Sequence, residues 1–500
     1  MQLPEFRNEP LSDFKGNPEH FRKMKEAVEE VGRELGRDYP LVIGGERITT
    51  ADKLISHDPG QKDRVVGVFS KASRELAERA VRCADEAFKN WSRVPYEERV
   101  ELVQGTARIL RERKHYYSAW LVYEVGKSWA EADADVAETI DFAEFYSREM
   151  LRLGGPQPLT PVAGEKNYLK YIPLGVGVVI PPWNFPMAIL GGMTVASIVA
   201  GNTVVLKPSS DSPAIGYQFM EALEKAGMPP GVVNFCPCPG GSVGDVLVGH
   251  PRTRYIAFTG SKDVGLHINE LAAKTPPGQV WIKRVVAEMG GKDSIIVDSE
   301  TDLDQAVEGV TVSAFGYQGQ KCSACSRAIV DEKIYDAFLE KLKARVEKIK
   351  VGPPTDPETY MGPVINAGSK KMTEAAPGGL LGIATKLDPA LTKSDALAGQ
   401  VAGHIGALPP VWDKLKFHVT LMERVVGSSS ELVIEPLKHH EPLMLSVGTA
   451  VTVGVVTNTK KDLVEVALKR PVCAELGARI AISRQVGARW RLIGMGVLAE

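Results

Sequence analysis

The sequence predicts an α/β protein, a doubly wound parallel sheet, followed by an all-β barrel. From Gly175 onward, short apolar runs alternate with helix-length stretches, the order expected of successive βαβ units. Polar motifs fall where those apolar runs end, which is where such sheets bind ligands. Beyond residue 377 the apolar period shortens to two, as in strands with one buried face.

Composition narrows the field. A chain of 500 residues exceeds one hydrophobic core, so two or three domains are expected. Its net charge of -2, with 24% charged residues, gives no electrostatic reason to expect nucleic acid or membrane as a partner. No run of 18 apolar residues occurs, and Met1-Gln-Leu-Pro-Glu-Phe-Arg7 lacks the blocks of a secretory signal, so a cytoplasmic protein is expected. The six cysteines, Cys83, Cys236, Cys238, Cys322, Cys325 and Cys473, are too scattered for a disulfide framework.

The elements follow in order. Between Phe21 and Arg152 the chain reads mostly as amphipathic helix, with apolar residues at three and four spacing through Ser73–Phe88 and Glu97–Leu110. A strand at Val176–Ile180 leads into a Pro-Pro-Trp-Asn-Phe-Pro loop and an apolar helix through Met193 and Ala200. Strand Thr203–Leu206, helix Pro213–Ala226, strand Val232–Phe235, a helix from Val243, strand Tyr255–Phe258 and a helix beyond Ser261 complete the pattern. Asn184, Lys207 and Ser261 all sit at carboxyl ends of strands, a site prediction in itself.

Gln318-Gly-Gln-Lys-Cys-Ser-Ala-Cys-Ser-Arg327 places Cys322 as a nucleophile candidate in a loop of small residues. A thiol with pKa near 8.5 is only a few per cent ionised at neutral pH, so it needs a base or a positive field. Glu288, in Val286-Ala-Glu-Met-Gly-Gly291, can supply the base or activate a water that cleaves a thioester. Cys236-x-Cys238 and Cys322-x-x-Cys325 lack histidines at ligand spacing, so no metal site is expected; Cys325 reads as a small thiol beside the loop, with a regulatory disulfide to Cys322 as the other reading.

Together with Pro182-Trp-Asn-Phe-Pro186, Lys207-Pro208 and Phe258-Thr-Gly-Ser261, these motifs resemble the aldehyde dehydrogenase superfamily. Within it, Phe6-Arg-Asn-Glu-Pro10, Tyr39-Pro-Leu-Val-Ile-Gly-Gly45, Glu124-Val-Gly-Lys127, Glu131-Ala-Asp-Ala-Asp135 and Gly278-Gln-Val-Trp-Ile-Lys-Arg284 resemble the 1-pyrroline-5-carboxylate dehydrogenase branch. The resemblance implies Cys322, Glu288 and Asn184 as catalytic residues. It implies Trp183, Lys207, Ser209, Ser210, Phe258, Thr259, Gly260, Ser261 and Gly265 around NAD, and Phe185, Lys321 and Ser323 around glutamate semialdehyde. Serines at 209 and 210, where many relatives carry an acid, imply some tolerance of NADP. Relatives usually form homo-oligomers.

After Asn366 that likeness stops. Pro377-Gly-Gly-Leu-Leu381, Leu387–Val401, Leu408-Pro-Pro-Val-Trp412, Arg470–Glu475 and Arg489–Gly494 resemble the C-terminal barrels of the archaeal translation initiation factor two gamma subunit. No Gly-x-x-x-x-Gly-Lys-[Ser/Thr] accompanies them, so its GTPase part is absent. Leu415, Phe417, Val419 and Leu421 alternate with polar residues, and glycines at 448, 454, 477 and 487 punctuate further strands. The adjacent His439 and His440 read as strand neighbours on opposite faces. The expected division is a cofactor domain with a helical front (1–287), a partial catalytic domain (288–366), a junction (367–376) and a β-barrel region (377–500). Missing from the tail are the Glu-Glu-Ile-Phe-Gly-Pro and Pro-Phe-Gly-Gly segments and the interface strand of the family, so uncovered apolar surface is expected. Two other readings stay open at this point: a barrel that binds tRNA or a partner, and a fused chain with impaired activity.

Overall fold

The computed structural model describes residues 3–366, 408–422, 434–448, 450–486 and 489–499. The chain divides into two compact units, Met1–Leu381 and Gly382–Glu500. The expected junction at 367–376, and the motifs at 377–381 and 387–401, lie outside the described residues.

A seven-stranded sheet organises the first unit, in the order Arg284–Glu288, Thr253–Thr259, Val176–Ile180, Thr203–Leu206, Val233–Phe235, Leu41–Ile43, Glu46–Ile48. The first five run parallel, and the last two add antiparallel edges. Helices Ala188–Val199, Pro213–Lys225, Asp245–Gly249 and Lys262–Ala273 make the crossovers. Because both faces of the central strands are covered, Val176–Val179 and Thr203–Leu206 are fully buried, and they read as continuous apolar runs. Gly177 is required there, since a Cβ would lie 2.2 Å from the Tyr255 ring. The chain reverses direction across the sheet between Val176–Ile180 and Thr253–Thr259, the switch point at which open α/β sheets hold ligands.

The front of the chain is mostly helical, as expected, and residues 37–70 within it form five strands: Arg37–Tyr39, Leu41–Ile43, Glu46–Ile48, Lys53–Asp58 and Gln61–Ser70. Apolar and β-branched residues such as Leu41, Val42, Ile43, Val65 and Val66 favour that outcome, and the partners are distant enough that local periodicity does not reveal the pairing. Helices Pro18–Gly32, Arg74–Trp91, Tyr96–Glu112, Lys114–Val125 and Trp129–Gly154 supply the helical part, and Arg74–Trp91 and Tyr96–Glu112 form where the apolar spacing predicts. Ser73 and Ser128 cap two of them by accepting from Leu76 N and Glu131 N.

Past Glu288, strands Asp293–Val297 and Cys325–Val330 pair in parallel and pack helices Leu303–Phe315 and Tyr335–Val346 through Val297, Val307, Val310 and Phe338. On the opposite face Ile296, paired with Ile329, is 76% exposed, and Ile282, just before strand Arg284–Glu288, is 92% exposed. Uncovered apolar surface is therefore present, as the missing family segments imply.

The second unit is a closed antiparallel barrel in the order Val411–Leu421, Leu463–Cys473, Ala450–Lys460, Pro442–Val447, Arg479–Val486, Arg489–Ala499, with the first and last strands paired. Leu415, Phe417, Leu443, Leu445, Val456, Val466, Ile480, Ile482 and Ile493 fill it. Closure removes the sheet edges. Gly448 and Gly477 mark turns, but Gly454 lies inside a strand, where a Cβ would meet Val466 Cγ1 at 2.4 Å. His439 and His440 form a turn rather than a strand, and their rings lie 4.0 Å apart, so the opposite-faces reading is corrected.

Candidate active site

Helix Leu303–Phe315 stops at Gly316, and Tyr317, Gln318 and Gly319 follow with φ of 48°, 57° and 66°. Two successive non-glycine residues in the left-handed region cost energy, and surrounding contacts hold them there. The Tyr317 hydroxyl donates to Val125 O at 3.0 Å, Gln318 Nε2 donates to Pro363 O at 2.7 Å, and Gln320 Oε1 accepts from Ile365 N at 3.1 Å. This turn presents Cys322, which is exposed and faces a cavity of about 1290 Å³. The Glu288–Gly291 segment passes so close that a Cβ on Gly291 would lie 2.5 Å from Cys322 O.

Asn184 follows the strand Val176–Ile180 across the cavity. Its Oδ1 accepts from Phe185 N at 3.1 Å and its Nδ2 donates to Gln320 O at 2.8 Å. Those two bonds fix the amide orientation and leave one Nδ2–H for another acceptor. The hydrogen bond to Gln320 also ties the Asn184 loop to the Cys322 loop.

Lys207, directly after strand Thr203–Leu206, is 6% exposed, with Nζ donating to Pro208 O at 3.2 Å. Ser261 caps helix Lys262–Ala273 by accepting from Val264 N, so that helix directs free N–H groups of its first turn toward the cavity that Ser261 lines. Added Cβ atoms on Gly240 and Gly241, which line the same space, would meet nothing within 4 Å. A buried ammonium, a helix N-terminus and an open glycine wall suit a dinucleotide. The volume is ample for both cofactor and aldehyde.

One cavity is lined by Trp183, Asn184, Phe185, Lys207, Ser209, Ser210, Phe258, Thr259, Gly260, Ser261, Lys321, Cys322 and Ser323. Two expected residues stand apart from its walls. Gly265 packs behind them, where a Cβ would lie 2.9 Å from Met289 Sδ. Glu288 ends the edge strand Arg284–Glu288 on its exposed face, while Met289 to Lys292 line the cavity. Strand alternation turns Val285 and Ala287 toward the core and sends Val286 and Glu288 outward. Lys321 carries a partner that the sequence reading did not assign, Glu131, with Nζ and Oε1 2.7 Å apart.

Sequence reasoning also missed Glu138 and Asp211, which line the cavity. Glu138 opens to the cleft, yet desolvation by surrounding protein, and then the charge of Asp135, raises its pKa. Spacing offered a signal for it, since Glu131, Asp135 and Glu138 share one helical face. Asp211 stands just beyond the two serines taken to face the cofactor, so a carboxylate is present after all. Cys236 and Cys238 are buried, and hydrogen bonding between their thiols pushes Cys236 well up. Among the described residues no three His, Cys, Asp or Glu side chains cluster as a metal site, and no helix is long and apolar enough to cross a membrane.

The switch-point crevice of this parallel sheet brings together a cysteine, an oriented amide and a buried lysine, groups suited to an enzyme that uses thiol chemistry beside a nucleotide. Residues 48–376 match the aldehyde dehydrogenase family, and the chain belongs to it. Residues 413–498 match the family described as initiation factor eIF2 gamma, C terminal. A 1-pyrroline-5-carboxylate dehydrogenase of Geobacillus kaustophilus is 56% identical over 371 residues, covering 73% of this chain and 72% of that protein. The Thermus 1-pyrroline-5-carboxylate dehydrogenase solved with bound NAD is 48% identical with a TM-score of 0.72, covering 74% of this chain and 72% of that one. The Mycobacterium tuberculosis Delta-pyrroline-5-carboxylate dehydrogenase, bound with NAD and cobalamin, is 30% identical with a TM-score of 0.70, covering 75% and 72%.

Proposed function

We propose that this chain oxidises an aldehyde to a carboxylate with NAD, and that the aldehyde is L-glutamate 5-semialdehyde, the opened form of 1-pyrroline-5-carboxylate in proline degradation. The observation that carries the reading is the shared wall of Cys322, Asn184, Lys207 and Ser261, with Asn184 hydrogen bonded to the nucleophile loop. Relatives at 56% and 48% identity that bear this activity in their names support the substrate. Polar lining supports it too: Lys321, although paired with Glu131, and Glu138 both line the cavity that holds Cys322, which suits a substrate with one carboxylate and one ammonium. Ser323 would hydrogen-bond the carboxylate, and Phe185 would pack on the aliphatic chain.

Each step uses groups of this chain. The Cys322 thiolate adds to the aldehyde carbon, forming a C–S bond and an alkoxide. The second Nδ2–H of Asn184 and the Cys322 N–H donate to that oxygen, and one such donor is worth about 3 to 4 kcal/mol in the transition state. Bound NAD would supply the hydride acceptor, and loss of the hydride from the carbon held by Cys322 would leave a thioester. Water then adds to the thioester carbon and gives up a proton, which Glu288 would take by turning in from the outer face of its strand, and cleavage of the C–S bond returns the thiolate and frees the acid. Lys207 would hold the adenosine ribose, and Ser261 with the N–H groups behind it would meet the pyrophosphate. Trp183, Ser209, Ser210, Phe258, Thr259, Gly260 and Gly265 complete that half. The Asp211 carboxylate at the cavity wall would repel an added phosphate, which favours NAD over NADP.

In the same reading residues 1–287 hold the cofactor and 288–366 are the retained part of the catalytic domain. A cytoplasmic setting would suit the chemistry, because Cys322 must stay reduced to act. NADH formation from pyrroline-5-carboxylate by the purified chain, with Cys322→Ala as the blank, tests the proposal. Equal signal from both proteins overturns it.

A further inference from the structure

Lys127 and Asp135 are both 0% exposed, far from any partner in water, and the chemistry above uses neither. Lys127 falls between two helices, after Gly126 ends Lys114–Val125 and before Ser128 caps Trp129–Gly154. Its Nζ lies 2.9 Å from Asp135 Oδ2 but makes no well-aligned hydrogen bond among the described residues, so charge rather than direction holds the pair. The ammonium sits 3.9 Å from the centroid of the Phe185 ring and 4.6 Å from that of Tyr317. Those two rings meet edge to face at 6.4 Å.

The placement of the rings matters. Phe185 is next to Asn184, and Tyr317 starts the strained turn that presents Cys322. Asp135 works on the same loop from its other end: Oδ1 accepts from Ala188 N at 2.7 Å, fixing the first residue of helix Ala188–Val199. A buried ion pair is a poor stabiliser, since the cost of desolvating two charges offsets their attraction and apolar side chains of like size hold a fold as well. An ammonium on two aromatic faces does something apolar packing does less well, because the attraction depends on where each ring lies.

We propose that Lys127, held by Asp135, is a positioning residue that sets the distance between the Asn184 amide and Cys322. The idea rests on the function proposed above, in which those two groups act on one carbonyl. Neither Lys127 nor Asp135 lines the cavity, so their influence passes through Phe185, Tyr317 and Ala188.

The test compares two reactions of Cys322 in the full chain. Alkylation by iodoacetamide needs only the thiol. Hydrolysis of 4-nitrophenyl acetate, with Cys322→Ala as the blank, needs the thiol and the donor to the developing oxyanion. The Lys127→Met/Asp135→Asn protein keeps an oxygen for Ala188 N and leaves no lone buried charge, which protects the fold where Lys127→Met alone endangers it. Its ester kcat is expected to fall on the order of tenfold to a hundredfold, as for an error of up to about 1 Å in reacting geometry, with KM and the alkylation rate unchanged. In an Asn184→Ala background the same double substitution is expected to cost nothing more, because the coupled contact is already gone. An unchanged ester kcat, a parallel fall in alkylation, or an undiminished loss without Asn184 would each make the pair merely structural. If the unaltered chain alkylates but does not hydrolyse the ester, the proposed function itself fails, and the positioning role with it.

Discussion

Gly290 and Gly291 are neighbours in sequence with opposite demands on space, which makes them a matched pair for testing the nucleophile loop. A Cβ built on Gly290 meets nothing within 4 Å, whereas one on Gly291 lies 2.5 Å from Cys322 O and 3.2 Å from Asp293 Oδ2. Neither glycine has a positive φ, so alanine is permitted by the backbone at both positions. Ordinary contact begins at 3.4 Å, so the Gly291 segment and the Cys322 carbonyl must move apart by about 0.9 Å between them in Gly291→Ala. A displacement of about 1 Å at a reacting group costs on the order of a hundredfold in rate. The expected outcome is a loss of roughly tenfold to a hundredfold in acyl transfer from 4-nitrophenyl acetate to Cys322 for Gly291→Ala, and rates within about twofold for Gly290→Ala. Cofactor affinity, read by calorimetry, should not change in either protein, because Lys207 and Ser261 belong to other strand ends. Equal rates for the two variants would refute the close approach and, with it, the placement of the Cys322 loop.

Other substitutions probe the remaining parts. Cys322→Ala should abolish aldehyde oxidation while calorimetric NAD affinity stays near that of the parent; loss of both together would reject the nucleophile assignment. Glu288→Gln should give a burst of NADH and then stalled turnover, and steady turnover equal to the parent would remove this exposed carboxylate from the water-activating step. Glu124 is fully buried, and desolvation pushes its pKa up to about 7 although Ala214 N, Ile215 N and Ser56 Oγ donate to it. The folded state thus keeps a proton that the unfolded state releases near 4.5, so stability should fall as pH rises from about 4.5 to 7, by on the order of 3 kcal/mol. Urea midpoints across that range should slope downward for the parent and flatten in Glu124→Gln; identical slopes would show that Glu124 does not titrate there.

Much of the architecture is visible in short windows of sequence. Thr203–Leu206 and Val176–Ile180 form where continuous apolar runs predict them, because a parallel strand covered on both faces needs no polar side. Ser261 was legible as a helix start, since a serine oxygen satisfies a free N–H two or three residues on. Leu415 and Phe417 are buried as their alternation requires, and the barrel closes around them. Tertiary structure decided the rest, and in each case the deciding partner is remote in the chain. Arg37 pairs with Gly67, so the strands within residues 37–70 depend on partners that no short window of sequence shows. Glu288 turns outward because the apolar core behind Val285 and Ala287 sets which face of its strand is covered. Lys127 looks like an ordinary surface lysine until Phe185, Tyr317 and Asp135 enclose it. Propensity and period report what a residue does to its own segment, whereas burial of a charge and the approach of two loops depend on side chains that folding alone brings together.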